Sequence, residues 1–254
     1  MEPGLAICET KMATQTENVR TVFENADWYL KGWRYSIKIR TETVREFVKG
    51  HEFKSILDVG CGDGSISIPL LCPQTQMTLL DISASMLASA RRQIPSEFLP
   101  NVDVVNQEFL EANLAGGYDL LLCIGLLAHV SSPSAVVEKI GSLVAPGGYV
   151  IAESTAKNHF VTRVIMAYGE VRGMFTPASY VPAALATKDV VAMFAQQGLE
   201  LVSVFRYSLP LPGMTRLFSE RALYRLSRML YGSFPRNRNA RLGNELVYLF
   251  RKAA

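Results

Sequence analysis

The sequence predicts an α/β protein: a doubly wound, mostly parallel seven-stranded sheet flanked by helices, with an N-terminal helical lid and helical insertions after strands 5 and 6. Three observations predict it. From about residue 54 to residue 153, apolar runs of strand length alternate with helix-length segments, the pattern of parallel strands joined by crossover helices. The first run leads straight into a turn with glycine at three alternate positions, Gly60, Gly62 and Gly64. Two more strand-like runs, Leu199–Tyr207 and about Leu246–Phe250, follow after long helix-bearing stretches.

Residues 1–50 form the N-terminal segment. Within it Asn25–Gly50 is helix-like and carries Trp28, Tyr29, Trp33 and Tyr35, which suit either packing on the sheet or a lid over a ligand. Residues 51–254 form the main domain, whose first five strands are expected at Ser55–Val59, Met77–Asp81, Val102–Val105, Tyr118–Ile124 and Gly148–Glu153. An inserted cap at about 157–185 opens with a helix, Lys157–Phe175, and continues in a loop bearing Pro177 and Pro182. The next helix, Thr187–Gln197, has Thr187 as its expected N-cap and stops at Gly198. A basic amphipathic helix is expected at about 214–233, where Arg216, Arg221, Arg225 and Arg228 interleave with Leu217, Phe218, Leu223, Leu226 and Met229. Arg236, Arg238 and Arg241 fall in the loop after it.

Composition excludes several classes. With 49% hydrophobic and 19% charged residues the chain is neither disordered nor fibrous, and 254 residues suit one core with elaborations. Met1–Thr21 lacks a basic start followed by an apolar run, and no apolar stretch reaches the ~20 residues of a spanning helix, so a cytoplasmic protein is expected. Cys8, Cys61, Cys72 and Cys123 lack C-x-x-C spacing, and three histidines assemble no zinc set, so no metal is expected. Charge is unevenly placed. Residues 206–254 hold 10 Lys/Arg against Glu220 and Glu245, whereas residues 1–205 hold 16 against 21 acids. That basic segment suits a solvated face, or attraction to an anionic substrate, lipid headgroup or nucleic acid.

Ligands of open α/β sheets lie outside the carboxyl ends of the strands, and the chemistry-bearing residues gather there. Ile56-Leu57-Asp58-Val59-Gly60-Cys61-Gly62-Asp63-Gly64-Ser65 places Ser65 where the dinucleotide fingerprint needs glycine. The spacing instead resembles motif I of the class I S-adenosylmethionine-dependent methyltransferases of small-molecule type. Further matches come in the family's order. Asp81 stands at the end of the second strand, seventeen residues after Gly64, and runs on as Ile82-Ser83-Ala84-Ser85-Met86. Glu108-Phe109 stands where many relatives have an Asp and a small or apolar residue. The fourth strand continues through Cys123 to His129, and Pro146-Gly147-Gly148 matches the turn into the fifth strand.

The resemblance implies S-adenosyl-L-methionine as cofactor and S-adenosyl-L-homocysteine as product. It implies a cofactor site of Asp58, Gly60, Cys61, Gly62, Gly64, Asp81, Ile82, Met86, Glu108, Phe109 and Cys123. In it Asp81 binds the ribose hydroxyls, Ile82 and Phe109 the adenine faces and Glu108 the adenine amino group, while Cys123 presents its backbone to the methionine end. His129 is the candidate base, its alternative being a helix cap; an imidazole ordinarily titrates near neutral pH. Tyr29, Trp33, His159 and Tyr168 are candidates for the acceptor, and Glu153 and Glu170 lie in the same region. Neither Pro-Cys nor Asn-Pro-Pro-Tyr occurs at the positions that mark base-carbon and macromolecular amino methyltransferases, which favours a small acceptor for O- or N-methylation. The arginine-rich helix suits an anionic or amphiphilic acceptor at a membrane surface. Two alternatives stay open: a cofactor-binding sensor or scaffold without turnover, and an RNA methyltransferase using the basic segment.

Overall fold

A computed structural model describes residues 26–173, 182–208 and 217–254, with side chains at 34–168, 182–208 and 217–254. Pro177 and Arg216, and the side chains of Trp28, Tyr29, Trp33 and Glu170, lie outside the described residues. In chain order the elements are α1 (Ala26–Phe47), β1 (Ser55–Val59), β2 (Gln76–Asp81), α2 (Ala84–Gln93), β3 (Val102–Asn106), β4 (Tyr118–Cys123), α3 (Pro133–Leu143), β5 (Val144–Thr155), α4 (Phe160–Gly173), α5 (Thr187–Gln196), β6 (Leu199–Tyr207), α6 (Glu220–Tyr231), β7 (Gly232–Ser233), β8 (Arg236–Asn237) and β9 (Glu245–Lys252).

Seven strands form one sheet in the order β3-β2-β1-β4-β5-β9-β6. Strands β1 to β5 pair in parallel, and β9 runs antiparallel between β5 and β6. The strands read as nearly unbroken apolar runs because both faces are covered. On one face Ile56, Leu79, Leu122, Ile151, Phe205 and Val247 belong to a cluster with Tyr35, Ile39, Val44 and Phe47 of α1 and Leu223 of α6. On the other, Leu57, Leu80, Leu121, Val150 and Phe250 belong with Val136 and Ile140 of α3 and Phe194 of α5. The Phe194 and Phe250 rings stack at 4.2 Å. Helix α1 is therefore part of the core, covering the sheet with its buried stripe.

Three local expectations change. Ala186 is the N-cap of α5 and Thr187 is its first helical residue, without a side-chain cap. Among the described residues the basic helix begins after Ser219, whose hydroxyl accepts the Ala222 amide, and it closes at Gly232 with φ +70°. Strand pairing of β5 begins at Val144, so Pro146-Gly147-Gly148 is taken up inside the strand as a register shift rather than preceding it.

Helix α6 docks on α1 through charge. Glu42 of α1 accepts the Tyr224 hydroxyl at 2.8 Å and pairs with Arg228. Leu223, Ser227 and Tyr231 are buried at helical spacing, and Arg221 and Arg225 point to solvent. Among the described residues no helix is long and apolar enough to cross a membrane, and no group of His, Cys, Asp and Glu has the arrangement to hold a metal ion.

Candidate functional site

Strand order reverses between β1 and β4, which places a crevice outside the carboxyl ends of β1, β2 and β4. The glycine turn builds its floor. Gly60, Gly62 and Gly64 all have positive φ, at 69°, 56° and 73°, a region that costs other L residues about 1–2 kcal/mol. Their surroundings differ. A Cβ on Gly62 meets nothing within 4 Å, whereas one on Gly64 lies 2.4 Å from Ile68 Cδ1. Gly62 thus leaves room for a ligand against the backbone, and Gly64 lets the turn close on Ile68.

Asp81 holds this turn. One carboxylate oxygen accepts the Gly62 amide at 2.8 Å and the other accepts the Ser83 amide at 2.8 Å. Three amides do not exhaust the lone pairs of a carboxylate, so a hydroxyl donor can still be received. Burial pushes the Asp81 carboxyl up, and the amides of Ser83, Gly62 and Ile82 pull it back. Ser83 also caps α2 by accepting the Met86 amide at 3.3 Å. Beyond Asp81, Ile82 is half-buried and Met86 is buried. The end of β3 is tied to them by Asn106, whose amide donates to the carbonyls of Asp81 and Ile82, both at 3.0 Å.

The remaining expected cofactor residues divide by environment. Asp58 is buried beneath the turn, and burial, with the Asp81 and Asp63 carboxylates nearby, pushes its carboxyl up to about 7 against a pull from the Ser67 hydroxyl. Cys61 and Cys123 are buried thiols held protonated by burial. The Cys123 side chain lies in the apolar cluster behind the sheet, leaving its backbone for the crevice. Glu108 spends one oxygen on the Glu111 amide at 3.1 Å, closing its own turn. Phe109 departs from expectation: its ring is in the core cluster with Leu80, Val136 and Ile140 and lies under Lys139 Nζ at 5.1 Å, so core packing accounts for it in place of an adenine contact.

Among the acceptor candidates, His159 is also corrected. Its Nδ1 accepts the Val161 amide at 3.2 Å, which leaves Nε2 to donate to the Arg241 carbonyl at 2.9 Å. Both nitrogens are engaged in fixing the start of α4 to the 240–242 turn. Tyr168 is exposed on α4, 52% accessible. His129 ends the short helical turn Leu126–Ala128, its amide donating to Leu126 O at 2.8 Å. Burial, then the Arg40 charge, lowers its imidazole from 6.5 to about 4, so the ring is neutral at pH 7 and does not titrate there.

Sequence reasoning named Glu153 but missed what surrounds it. Arg40 Nε donates to Glu153 Oε1 at 2.7 Å, and the Tyr207 hydroxyl donates to the same oxygen at 2.8 Å. Glu245, at the start of β9, pairs in register with Thr155 and Tyr207 and accepts the Thr155 hydroxyl at 2.9 Å. Burial and the Glu153 charge push Glu245 up to about 7. The available signal was an acid at the end of one apolar strand and another at the start of a second, Glu153 and Glu245.

Residues 57–150 match the family model described as a methyltransferase domain. The ubiquinone biosynthesis O-methyltransferase of Erwinia tasmaniensis is 34% identical over 122 residues, 47% of this chain and 50% of that protein. The protein of the same name from Bordetella avium is 31% identical over 121 residues, again 47% and 50%. The chain thus spans about half the length of the curated relatives it matches. Among solved structures, magnesium protoporphyrin IX methyltransferase from Synechocystis, with bound SAH, superposes with a TM-score of 0.67 at 15% identity, covering 94% of this chain and 100% of that one. The N-methyltransferase NodS of Bradyrhizobium japonicum gives 0.63 at 14% identity, covering 93% and 100%. At these identities the two structures establish the fold.

Proposed function

We propose that the chain, whose residues 57–150 match a methyltransferase domain, is a class I, Rossmann-like methyltransferase that moves a methyl group from S-adenosylmethionine to a small-molecule acceptor. The observation that carries the proposal is the Gly60–Gly64 turn, open at Gly62 and held by Asp81 through the Gly62 amide. Open space against a backbone turn, beside buried carboxylates at Asp81 and Asp58, suits a cationic nucleoside with two ribose hydroxyls. When bound, the cofactor supplies a methyl group activated by its sulfonium, and in-line displacement then requires only alignment and removal of a proton.

In this reading Asp81 receives the ribose hydroxyls, Ile82 and Met86 flank the adenine, and Glu108 offers its free oxygen to the adenine amino group. Gly60, Cys61, Gly62 and the Cys123 backbone line the methionine end, with Gly64 and Asp58 supporting the turn from beneath. His129, neutral and beside Arg40, is a proton acceptor for the nucleophile. Oxygen is the favoured nucleophile because the named curated relatives are O-methyltransferases. Tyr29, Trp33 and Tyr168 remain candidates for acceptor contact from α1 and α4.

Calorimetric titration with S-adenosylmethionine, S-adenosylhomocysteine and NAD tests the proposal. Micromolar affinity for the first two and none for NAD is expected. Absence of binding by all three would leave an inherited fold used as a scaffold, and binding without turnover on any acceptor would leave a sensor.

A membrane-surface contact through α6 belongs to the same reading. Arg221, Arg225, Arg236, Arg238 and Arg241 are exposed beside Leu217, Phe218, Met229, Leu230 and Leu242, which are between 37% and 79% accessible. Arginines set among exposed apolar side chains suit an anionic bilayer. Flotation with phosphatidylglycerol vesicles at low salt is expected to carry the protein. A salt-dependent RNA gel shift without flotation would favour the nucleic-acid alternative.

A further inference from the structure

The buried polar group around Glu153 is larger than core packing requires. It sits on the α1 face of the sheet at the same edge as the glycine turn. In register Asp58 stands level with Leu122 and Leu122 with Ile151, so Glu153 lies one same-face step further out and two strands across. At about 3.3 Å per residue along a strand and ~4.8 Å between strands, the two backbones are ~12 Å apart, the reach of a cofactor tail plus a small acceptor.

Two polar atoms in this group have no hydrogen-bond partner among the described residues: Glu153 Oε2 and the Tyr35 hydroxyl, on residues 2% and 3% exposed. Buried polar atoms are nearly always paired, and an orphaned carboxylate oxygen and an orphaned phenol on the same face of the sheet call for an explanation. Burial raises the Tyr35 hydroxyl, and the Arg40, Glu220 and Glu245 charges act on it as well. Core geometry explains the other bonds. Arg40 and Tyr207 saturate Glu153 Oε1, and Thr155 engages Glu245. Oε2 is left without a partner among the described residues.

We propose that Arg40, Glu153, Tyr207 and Glu245, with Tyr35, form the acceptor-recognition subsite, and that it takes a hydroxyl or amino group donating a hydrogen bond to Glu153 Oε2. This names the acceptor chemistry of the methyl-transfer reading and rests on it. One arginine faces two carboxylates, so a carboxylate or phosphate substituent is repelled here. A neutral donor is received, and a charge-assisted bond to a desolvated carboxylate is stronger than one between neutral groups. Arg40, bound to Oε1, acts as a positioning residue that keeps Glu153 aimed. The other titratable groups at this cluster are Glu220, which accepts the Tyr35 amide at 2.8 Å, and His129, on which the Arg40 charge acts.

Binding of phenol, aniline and benzoate, followed by saturation-transfer NMR with and without S-adenosylhomocysteine, tests the subsite. Phenol and aniline are expected to bind at least ~10-fold more tightly than benzoate, the effect of about 1.4 kcal/mol. Glu153→Gln removes the negative charge, so discrimination against benzoate is expected to collapse. Tyr35→Phe removes only an unpartnered hydroxyl and keeps the test informative if Glu153→Gln fails to fold. It is expected to weaken phenol several-fold while raising the thermal midpoint of the free protein by about 2–4 °C. Equal binding of benzoate and phenol, no binding of either, or an unchanged preference in Tyr35→Phe would overturn the subsite. Loss of S-adenosylhomocysteine binding with discrimination intact would remove the cofactor reading alone.

Discussion

Asp81 and Gly62, nineteen residues apart, are joined by a 2.8 Å hydrogen bond from the glycine amide to the carboxylate. The residue expected to bind the ribose therefore also shapes the turn expected to hold the methionine end. Loss of the carboxylate affects both at once. Asp81→Ala is expected to weaken S-adenosylmethionine by at least about 1–3 kcal/mol in calorimetry, the cost of stranding hydrogen-bonding groups. Asp81→Asn keeps an oxygen that can accept one amide and should lose less. Equal affinity in wild type and Asp81→Ala would remove Asp81 from the site.

Gly62 and Gly64 separate binding from stability. Gly62→Val places a branched side chain in the open space over the turn and should abolish cofactor binding. Gly64→Ala drives a methyl into Ile68, 2.4 Å away, and should destabilise the fold by roughly 1–3 kcal/mol. Thermal melts and titrations on both variants check the split; a binding loss confined to Gly64→Ala contradicts it.

The Asp58 carboxyl is raised from 3.8 to about 7 by burial. Between those values the native state keeps a proton that the unfolded chain has lost, so this group's contribution to stability is complete below pH ~4 and declines as pH rises through 7. Asp58→Asn should flatten that part of the stability profile. A cationic ligand favours the ionised form, so cofactor binding at pH 7 is expected to release protons. Calorimetric enthalpies in buffers of different ionisation heat read this directly; identical enthalpies in wild type and Asp58→Asn would contradict it.

His129 is lowered to about 4 by burial and Arg40. Its neutral form is complete above its ordinary 6.5, so a rate that depends on it should show no inflection from this ring between pH 6 and 8. His129→Asn is expected to lower the methyl-transfer rate by ~10²-fold or more with cofactor affinity unchanged. An unaltered rate returns His129 to the role of ending its helical turn.

Sheet and glycine turn were legible because their signals are local. The apolar runs lie within a few residues of the true strands, and Ser55–Val59 and Leu199–Tyr207 match in full. His159 misled because its partners, the Val161 amide and the Arg241 carbonyl, are set by backbone geometry that composition does not carry. Phe109 misled because its neighbours in the core come from α3. The Arg40, Glu153, Tyr207 and Glu245 group was illegible as a unit. Its members come from one helix and three strands, and only the insertion of β9 between β5 and β6 brings them together.

That insertion also sets an order of assembly during translation. Strands β5 and β6 do not pair with each other; each pairs with β9, which lies between them. As the ribosome releases β6, no partner for it exists, and its hydrogen-bonding edge, like that of β5, stays open until Glu245–Lys252 emerges. The cofactor turn between β1 and β2 can form well before this. Glu245 arrives with the closing strand, so a nascent chain acquires the means to hold a cofactor before it acquires the means to choose an acceptor.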